Sequence, residues 1–189
     1  MKVSAVLLAG GKSRRMGRDK AEILFRDRPL WQRQLDLLRT REAEQLLVSA
    51  QTDPPWRPAD VAFVADDQPS RGPLSGIAAA LSRTTTAHLL AVAIDMPFMT
   101  ANYLRGLCQR IQPGLGVVPV IESRAEPLAA IYPREAHDEV IGALSGNDFS
   151  LQSLVAKLSA GGMLQPVQLS AQERALFRNL NEPADLDAG

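Results

Sequence analysis

Apolar and polar positions along the chain alternate in blocks of strand and helix length. Val6, Leu7 and Leu8 form a continuous apolar run, the pattern of a parallel strand covered on both faces. Gly10 and Gly11 end it, and Ile23–Phe25 reads as a short extended piece. Pro29 sits where a first helical turn accepts proline, and Leu30, Trp31, Leu35, Leu37 and Leu38 then make the apolar face of a helix. Leu46–Val48 and Val61–Val64 read as short strands either side of a loop containing Asp53, Pro54 and Pro55. Leu74–Leu81 is small and apolar, as suits a helix packed close on a sheet. Leu89–Ile94 is a second continuous buried strand, followed by a helix predicted over Ala101–Ile111.

The second half is less regular. Val117–Ile121 and Pro127–Tyr132 predict two strands around a turn at Glu122–Arg124. Residues 134–144 and 149–158 read as helices broken at Gly146–Asn147, and Met163–Leu169 as a last strand. Strands alternating with helices predict an α/β fold, here a single three-layer Rossmann-like domain over residues 1–189 with a mainly parallel sheet. Such sheets bind ligands beyond the carboxyl ends of their strands, which is where the Gly10–Gly11 loop falls.

Composition narrows the function classes. Of 189 residues 46 % are hydrophobic and 22 % charged, enough for a substantial core. Lys+Arg and Asp+Glu are both 21, so bulk charge draws the chain to neither nucleic acid nor membrane. The lone Cys108 excludes an intramolecular disulfide and a cysteine-rich metal site. The N-terminus lacks a signal-peptide pattern, and no stretch approaches the roughly 20 apolar residues of a membrane helix, so a cytoplasmic location is expected.

The basic loop is the local exception to this neutrality. After Gly10 and Gly11, whose missing Cβ atoms let backbone N–H groups approach an anion, come Lys12, Arg14, Arg15, Arg18 and Lys20. Arginine grips phosphate oxygens bidentately and lysine acts as a compact charge, so the segment suits a triphosphate. It is neither common phosphate loop. A P-loop needs glycine where Val6 stands, and the dinucleotide fingerprint needs one where Lys12 stands.

The string LAGGKSRRMGRDK over residues 8–20 resembles the LAGGxxxRMGxDK signature of nucleotidyltransferases of the molybdenum cofactor guanylyltransferase family. The resemblance implies that Leu8, Ala9, Gly10 and Gly11 wrap a nucleoside triphosphate, with Arg14, Arg15 and Lys20 toward its phosphates. Asp66 begins DxxxxxGPLxG, which resembles the second motif of that family, whose aspartate contacts base or ribose. A carboxylate can accept from both N1–H and the exocyclic amine of guanine. Asp67 is the fallback, and Gly72 and Pro73 would shape the loop along the nucleotide.

Asp95 ends the apolar run LLAVAI and opens DMPF, resembling the family's DxP motif, whose aspartate holds Mg²⁺ at the triphosphate. A helix N-cap is the other reading of an aspartate here, although Thr100 is the better cap for the helix that follows. RAEPLAAIY over residues 124–132 resembles the segment across the acceptor side, with Glu126 where many relatives carry histidine or glutamine. Asn179 and Asn181 in NLNEPADL match NxNxPxDL, which implies acceptor or metal-shell contacts; an asparagine cap before a proline-started helix is the alternative. Ser49 stands where relatives often place asparagine against the nucleotide.

Hydrolase chemistry is excluded on residue type. Only His88 and His137 are present, Ser75 lacks the glycine two positions earlier that a nucleophile elbow needs, and no zinc motif occurs. The resemblance implies transfer of GMP from GTP to the phosphate of molybdopterin, with Lys20, Arg15 and Asp95 catalytic and Mg²⁺ as cofactor. Cytidylyl transfer to the same acceptor, or transfer to another phosphorylated acceptor, is the alternative, as is a non-catalytic carrier role. Transient contacts with other cofactor-biosynthesis proteins and molybdoenzymes are expected, and none with nucleic acid or membrane.

Overall fold

In a computed structural model the protein is described over residues 1–10, 19–40, 43–66 and 69–180. Ten strands and five α-helices follow one another as β1 (Ser4–Leu8), β2 (Leu24–Phe25), β3 (Arg28–Pro29), α1 (Leu30–Arg39), β4 (Gln45–Ala50), β5 (Ala62–Ala65), α2 (Pro73–Arg83) and β6 (His88–Ala93). They continue with α3 (Ala101–Cys108), β7 (Gly116–Ile121), β8 (Arg124–Ala125), β9 (Ala129–Pro133), α4 (His137–Ser145), α5 (Leu151–Ala160) and β10 (Leu164–Gln168). The expected mainly parallel α/β sheet is present, in the order β10-β7-β9-β6-β1-β4-β5, with β8 beside β7. β1 pairs in parallel with both β4 and β6, and β4 with β5, while β9 runs antiparallel to β6 and β7.

Strand alternation explains the three layers. Ala5 and Leu7 of β1, with Val48, Leu90 and Val92 beside them, face Leu30, Leu35 and Leu38 of α1 and Leu104 and Leu107 of α3. Val6 and Leu8 face the other way, toward Leu74, Ile77 and Leu81 of α2 and the apolar positions of α4 and α5. All five residues of β1 are buried, so the run has no polar face to alternate with.

Three expectations are corrected in detail. The helix predicted to reach Ile111 ends at Cys108. Gln112 and Leu115 exchange two backbone hydrogen bonds of 3.0 and 2.9 Å around Pro113–Gly114, and that proline-glycine turn displaces further helix. The strand expected from Pro127 begins at Ala129, because proline cannot donate to a ladder; β7 instead makes its hairpin with β8, around Glu122 at φ 57°. Pro29 is the N-cap of α1 and not its first helical residue.

The registers place the site. Leu8, Ser49 and Ala93 stand level at the carboxyl ends of β1, β4 and β6. The chain leaves β1 for β4 on one side and reaches β6 on the other, so β1 is the switch point where such sheets open a crevice.

Candidate active site

Two clusters of side chains gather at this edge. In the first, Lys20 Nζ lies 2.9 Å from Asp95 Oδ2, with each side chain about one-fifth exposed. Lys20 opens a short 3₁₀ turn whose N-cap is Asp19, and Asp19 Oδ1 accepts from Ala21 N at 3.0 Å. Asp19 Oδ2 accepts a long hydrogen bond of 3.4 Å from Trp56 Nε1, and the Trp56 indole stacks on that of Trp31 in α1. These contacts fix where the basic loop re-enters the fold.

Asp95 is held through its backbone and its neighbours. Ile94 N donates to Leu8 O, continuing β6 alongside β1, and Leu180 N donates to Asp95 O at 2.9 Å. The DMPF carbonyls are gripped from α1: Gln34 Nε2 donates to Met96 O at 2.7 Å and Arg33 Nε to Pro97 O at 2.8 Å. Phe98 packs edge-on against Phe25, and the Arg178 guanidinium lies over the Phe98 ring, 5.1 Å from its centroid. Thr100, not Asp95, caps α3, accepting from Tyr103 N. The carboxylate of Asp95 is therefore not consumed as a helix cap.

In the second cluster, buried Ser49 donates its hydroxyl to Oδ1 of buried Asp66. Asp66 follows β5, and its N–H continues the ladder to Ala50 O. The backbone of two glycines presses on this pair. A Cβ on Gly10 would come 2.6 Å from Asp66 Oδ2, and one on Gly76 of α2 would come 2.7 Å from Ser49 Oγ and 2.9 Å from Leu8 Cδ2. Glycine at both positions is thus a packing requirement. Gly72 stands apart from these contacts, exposed at the N-cap of α2 with φ 69°.

Beside Asp95 opens a cleft of about 320 Å³, lined by Ala93, Met96, Arg124, Glu126, Gln152 and Asn179 among others. Exposed Asn179 reaches it because Leu180 is tied to Asp95. Burial raises the pKa of Glu126, against which the nearby Arg124 charge works. Lys20, Asp95 and Asn179 are thus brought to one place, and Leu8, Ala9, Gly10, Ser49 and Asp66 to the adjoining edge. Gly11, Arg14, Arg15, Asp67 and Asn181 lie outside the described residues.

Residue pattern alone missed the supports. Gln34 had a signal: with Leu30 and Leu38 it forms an i, i+4, i+8 row, a polar residue set in an apolar stripe and 1 % exposed. Gln152 had none, because its partner is the backbone of Ala125 on a distant strand.

Among the described residues no group of three or more His, Cys, Asp and Glu could cage a metal. A Mg²⁺ ion would need no such cage, since it binds through one or two carboxylates, substrate phosphates and water.

Comparison with known proteins agrees with this arrangement. The profile of the MobA-like NTP transferase domain matches residues 5–172. A probable molybdenum cofactor guanylyltransferase of Opitutus terrae is 35 % identical over 188 residues, covering 98 % of this chain and 93 % of that one. The molybdenum cofactor guanylyltransferase of Xanthomonas euvesicatoria is 32 % identical, covering 95 % and 90 %. The crystal structure of molybdopterin-guanine dinucleotide biosynthesis protein A from Archaeoglobus fulgidus superposes with a TM-score of 0.74 at 21 % identity, covering 98 % and 95 %. A cytidylyltransferase for 2-C-methyl-D-erythritol 4-phosphate from Thermus thermophilus shares the fold at TM-score 0.71 and 18 % identity, covering 100 % and 97 %. With the family profile matched over residues 5–172 and relatives 32 % and 35 % identical over nearly the whole chain, this chain belongs to the MobA-like NTP transferase family.

Proposed function

We propose that the protein transfers GMP from GTP to the terminal phosphate of molybdopterin, forming the guanine dinucleotide cofactor and releasing pyrophosphate. The observation that carries this reading is the Lys20–Asp95 pair beside the end of β1, with an acceptor-sized cleft opening next to Asp95. The curated relatives named for this reaction match nearly the whole chain.

The acceptor phosphate attacks the α-phosphorus of GTP, and the bond to the bridging oxygen of pyrophosphate breaks. No covalent intermediate on the protein is needed. Charge grows on the leaving pyrophosphate, and catalysis requires groups that bind it more strongly then than in the ground state. Lys20 would meet that charge with its ammonium, and Arg14 and Arg15 are assigned the same task by their motif. Asp95 would hold Mg²⁺, which when bound supplies positive charge against the phosphates. The backbone at Leu8, Ala9, Gly10 and Gly11 would cradle the nucleotide, and Gly72 would border it. Asp66, steadied by Ser49, is assigned to the base or ribose side, and Asn179 with Asn181 to the acceptor. Among the described residues no helix is long and apolar enough to cross a membrane.

Pyrophosphate release is the test, with Mg²⁺, molybdopterin and GTP or CTP in parallel. Release with GTP and not CTP is the expected result. Release with CTP alone would make the enzyme a cytidylyltransferase on the same fold, and silence with both would overturn nucleotidyl transfer to this acceptor.

A further inference from the structure

The cleft beside Asp95 carries a carboxylate, Glu126, that the nearby Arg124 charge acts on but does not pair with. Glu126 lines it and is half-buried, and its side chain makes no hydrogen bond or ion pair with a described residue. Everything around that side chain is fixed. Its own N–H donates to Pro119 O at 2.8 Å, and its carbonyl accepts from Ala129 N at 3.2 Å. The preceding residue, Ala125, is clamped at both backbone groups by Gln152 of α5, which accepts from Ala125 N at 3.2 Å and donates to Ala125 O at 2.9 Å. The following residue, Pro127, is tied by the buried hydroxyl of Tyr132 at 2.8 Å. The backbone that carries this carboxylate is thus anchored on the wall of the cavity, leaving only its own side-chain torsions to be ordered, and partial burial without a paired cation costs stability that a ligand would return.

The charge then dictates what that ligand presents. A carboxylate accepts hydrogen bonds and repels phosphate, while the Arg124 guanidinium on the same wall only donates, so the group lying directly against the Glu126 carboxylate carries N–H donors and the phosphate lies away from it. The phosphate end is assigned to the Ala93–Met96 end of the cleft, where the Lys20 ammonium offsets the Asp95 carboxylate that it pairs with. We infer that Glu126 is a specificity-determining residue that reads the donor edge of a 2-amino-4-oxopteridine, accepting from its ring N–H and exocyclic amine, and so orients the acceptor with its phosphate toward Lys20. This rests on the acceptor assigned in the proposed function.

Fluorescence titration of the full chain with pterin, and with lumazine, which has an oxygen in place of the 2-amino group, tests the contact without turnover. Wild type is expected to bind pterin about 10- to 100-fold more tightly than lumazine, the range of a charge-assisted pair of hydrogen bonds. Glu126→Gln is expected to bind the two alike, and Glu126→Asp to restore part of the preference. In steady state Glu126→Gln should raise KM for molybdopterin by a similar factor and leave KM for GTP within about twofold. Equal pterin and lumazine affinity in wild type, or a preference surviving in a folded Glu126→Gln protein, overturns the inference. Absence of pyrophosphate release by wild type with molybdopterin would instead overturn the proposed reaction, while the pterin titration still decides the contact.

Discussion

Lys20 and Asp95 meet at 2.9 Å although 75 positions separate them, one closing the basic segment and the other lying two residues beyond β6. The ion pair is one-fifth exposed on each side, so its worth to stability is modest and its worth to chemistry is the placement of a cation beside a carboxylate. Lys20→Ala and Asp95→Ala are each expected to lower kcat by about 10²- to 10³-fold, the usual loss when one transition-state charge partner goes. Pyrophosphate release measured beside circular dichroism checks this. Wild-type turnover in either folded variant would remove that residue from the mechanism.

Gly76 of α2 packs so close to Ser49 and Leu8 that a Cβ there would force one of these side chains to shift. Gly76→Ala drives a methyl to 2.7 Å from Ser49 Oγ and 2.9 Å from Leu8 Cδ2. The expected loss is about 1–3 kcal/mol of stability by overpacking, with weaker GTP binding because Leu8 leads into the glycine loop. Chemical denaturation and nucleotide titration of the same variant measure both effects.

Ser49→Ala removes a hydroxyl that donates to a carboxylate only 6 % exposed. Leaving Asp66 short of a donor is expected to cost about 1–3 kcal/mol. A denaturant midpoint unchanged from wild type would show that Asp66 is fully satisfied without Ser49.

Glu126 should be a stability cost at neutral pH. Its pKa is raised above the ordinary 4.5 by burial, with Arg124 opposing. A carboxyl raised in the folded state binds more protons folded than unfolded between the two pKa values, so its effect on stability worsens as pH rises through that window. The thermal midpoints of wild type and Glu126→Gln are expected to differ least near pH 4 and to separate above it. By pH 7 the variant should be higher by about 1–3 °C, a small figure because the group is half exposed. Parallel melting curves across that range would show that Glu126 carries no such cost.

Gln152→Ala frees the backbone of Ala125 from both of its clamps. Stability should fall by about 1–2 kcal/mol, and the acceptor KM should rise while that for GTP holds. Equal rises in both would place Gln152 in general structural support and not in orienting the acceptor wall.

How much was legible beforehand depended on the range of the forces involved. Continuous apolar runs at Val6–Leu8 and Leu89–Ile94 announced buried parallel strands, because a strand covered on both faces tolerates no polar alternation. The carboxylate at Asp95 and the cap at Thr100 were readable for the same local reason. Boundaries failed where two local preferences competed, as when the Pro113–Gly114 turn cut α3 short.

By itself, then, the sequence determined the α/β alternation, the glycine and lysine of the basic segment, and the aspartates that follow β5 and β6. These depend on periodicity and on residue chemistry within a few positions. Only the tertiary structure decided that Lys20 faces Asp95, that Ser49 serves Asp66 beneath Gly10 and Gly76, and that Gln152 and Tyr132 present Glu126 to a cleft. Those relationships join residues from separate strands and helices. They follow from strand order and register, which arise from packing of the whole sheet and leave no trace in the spacing of the residues that meet.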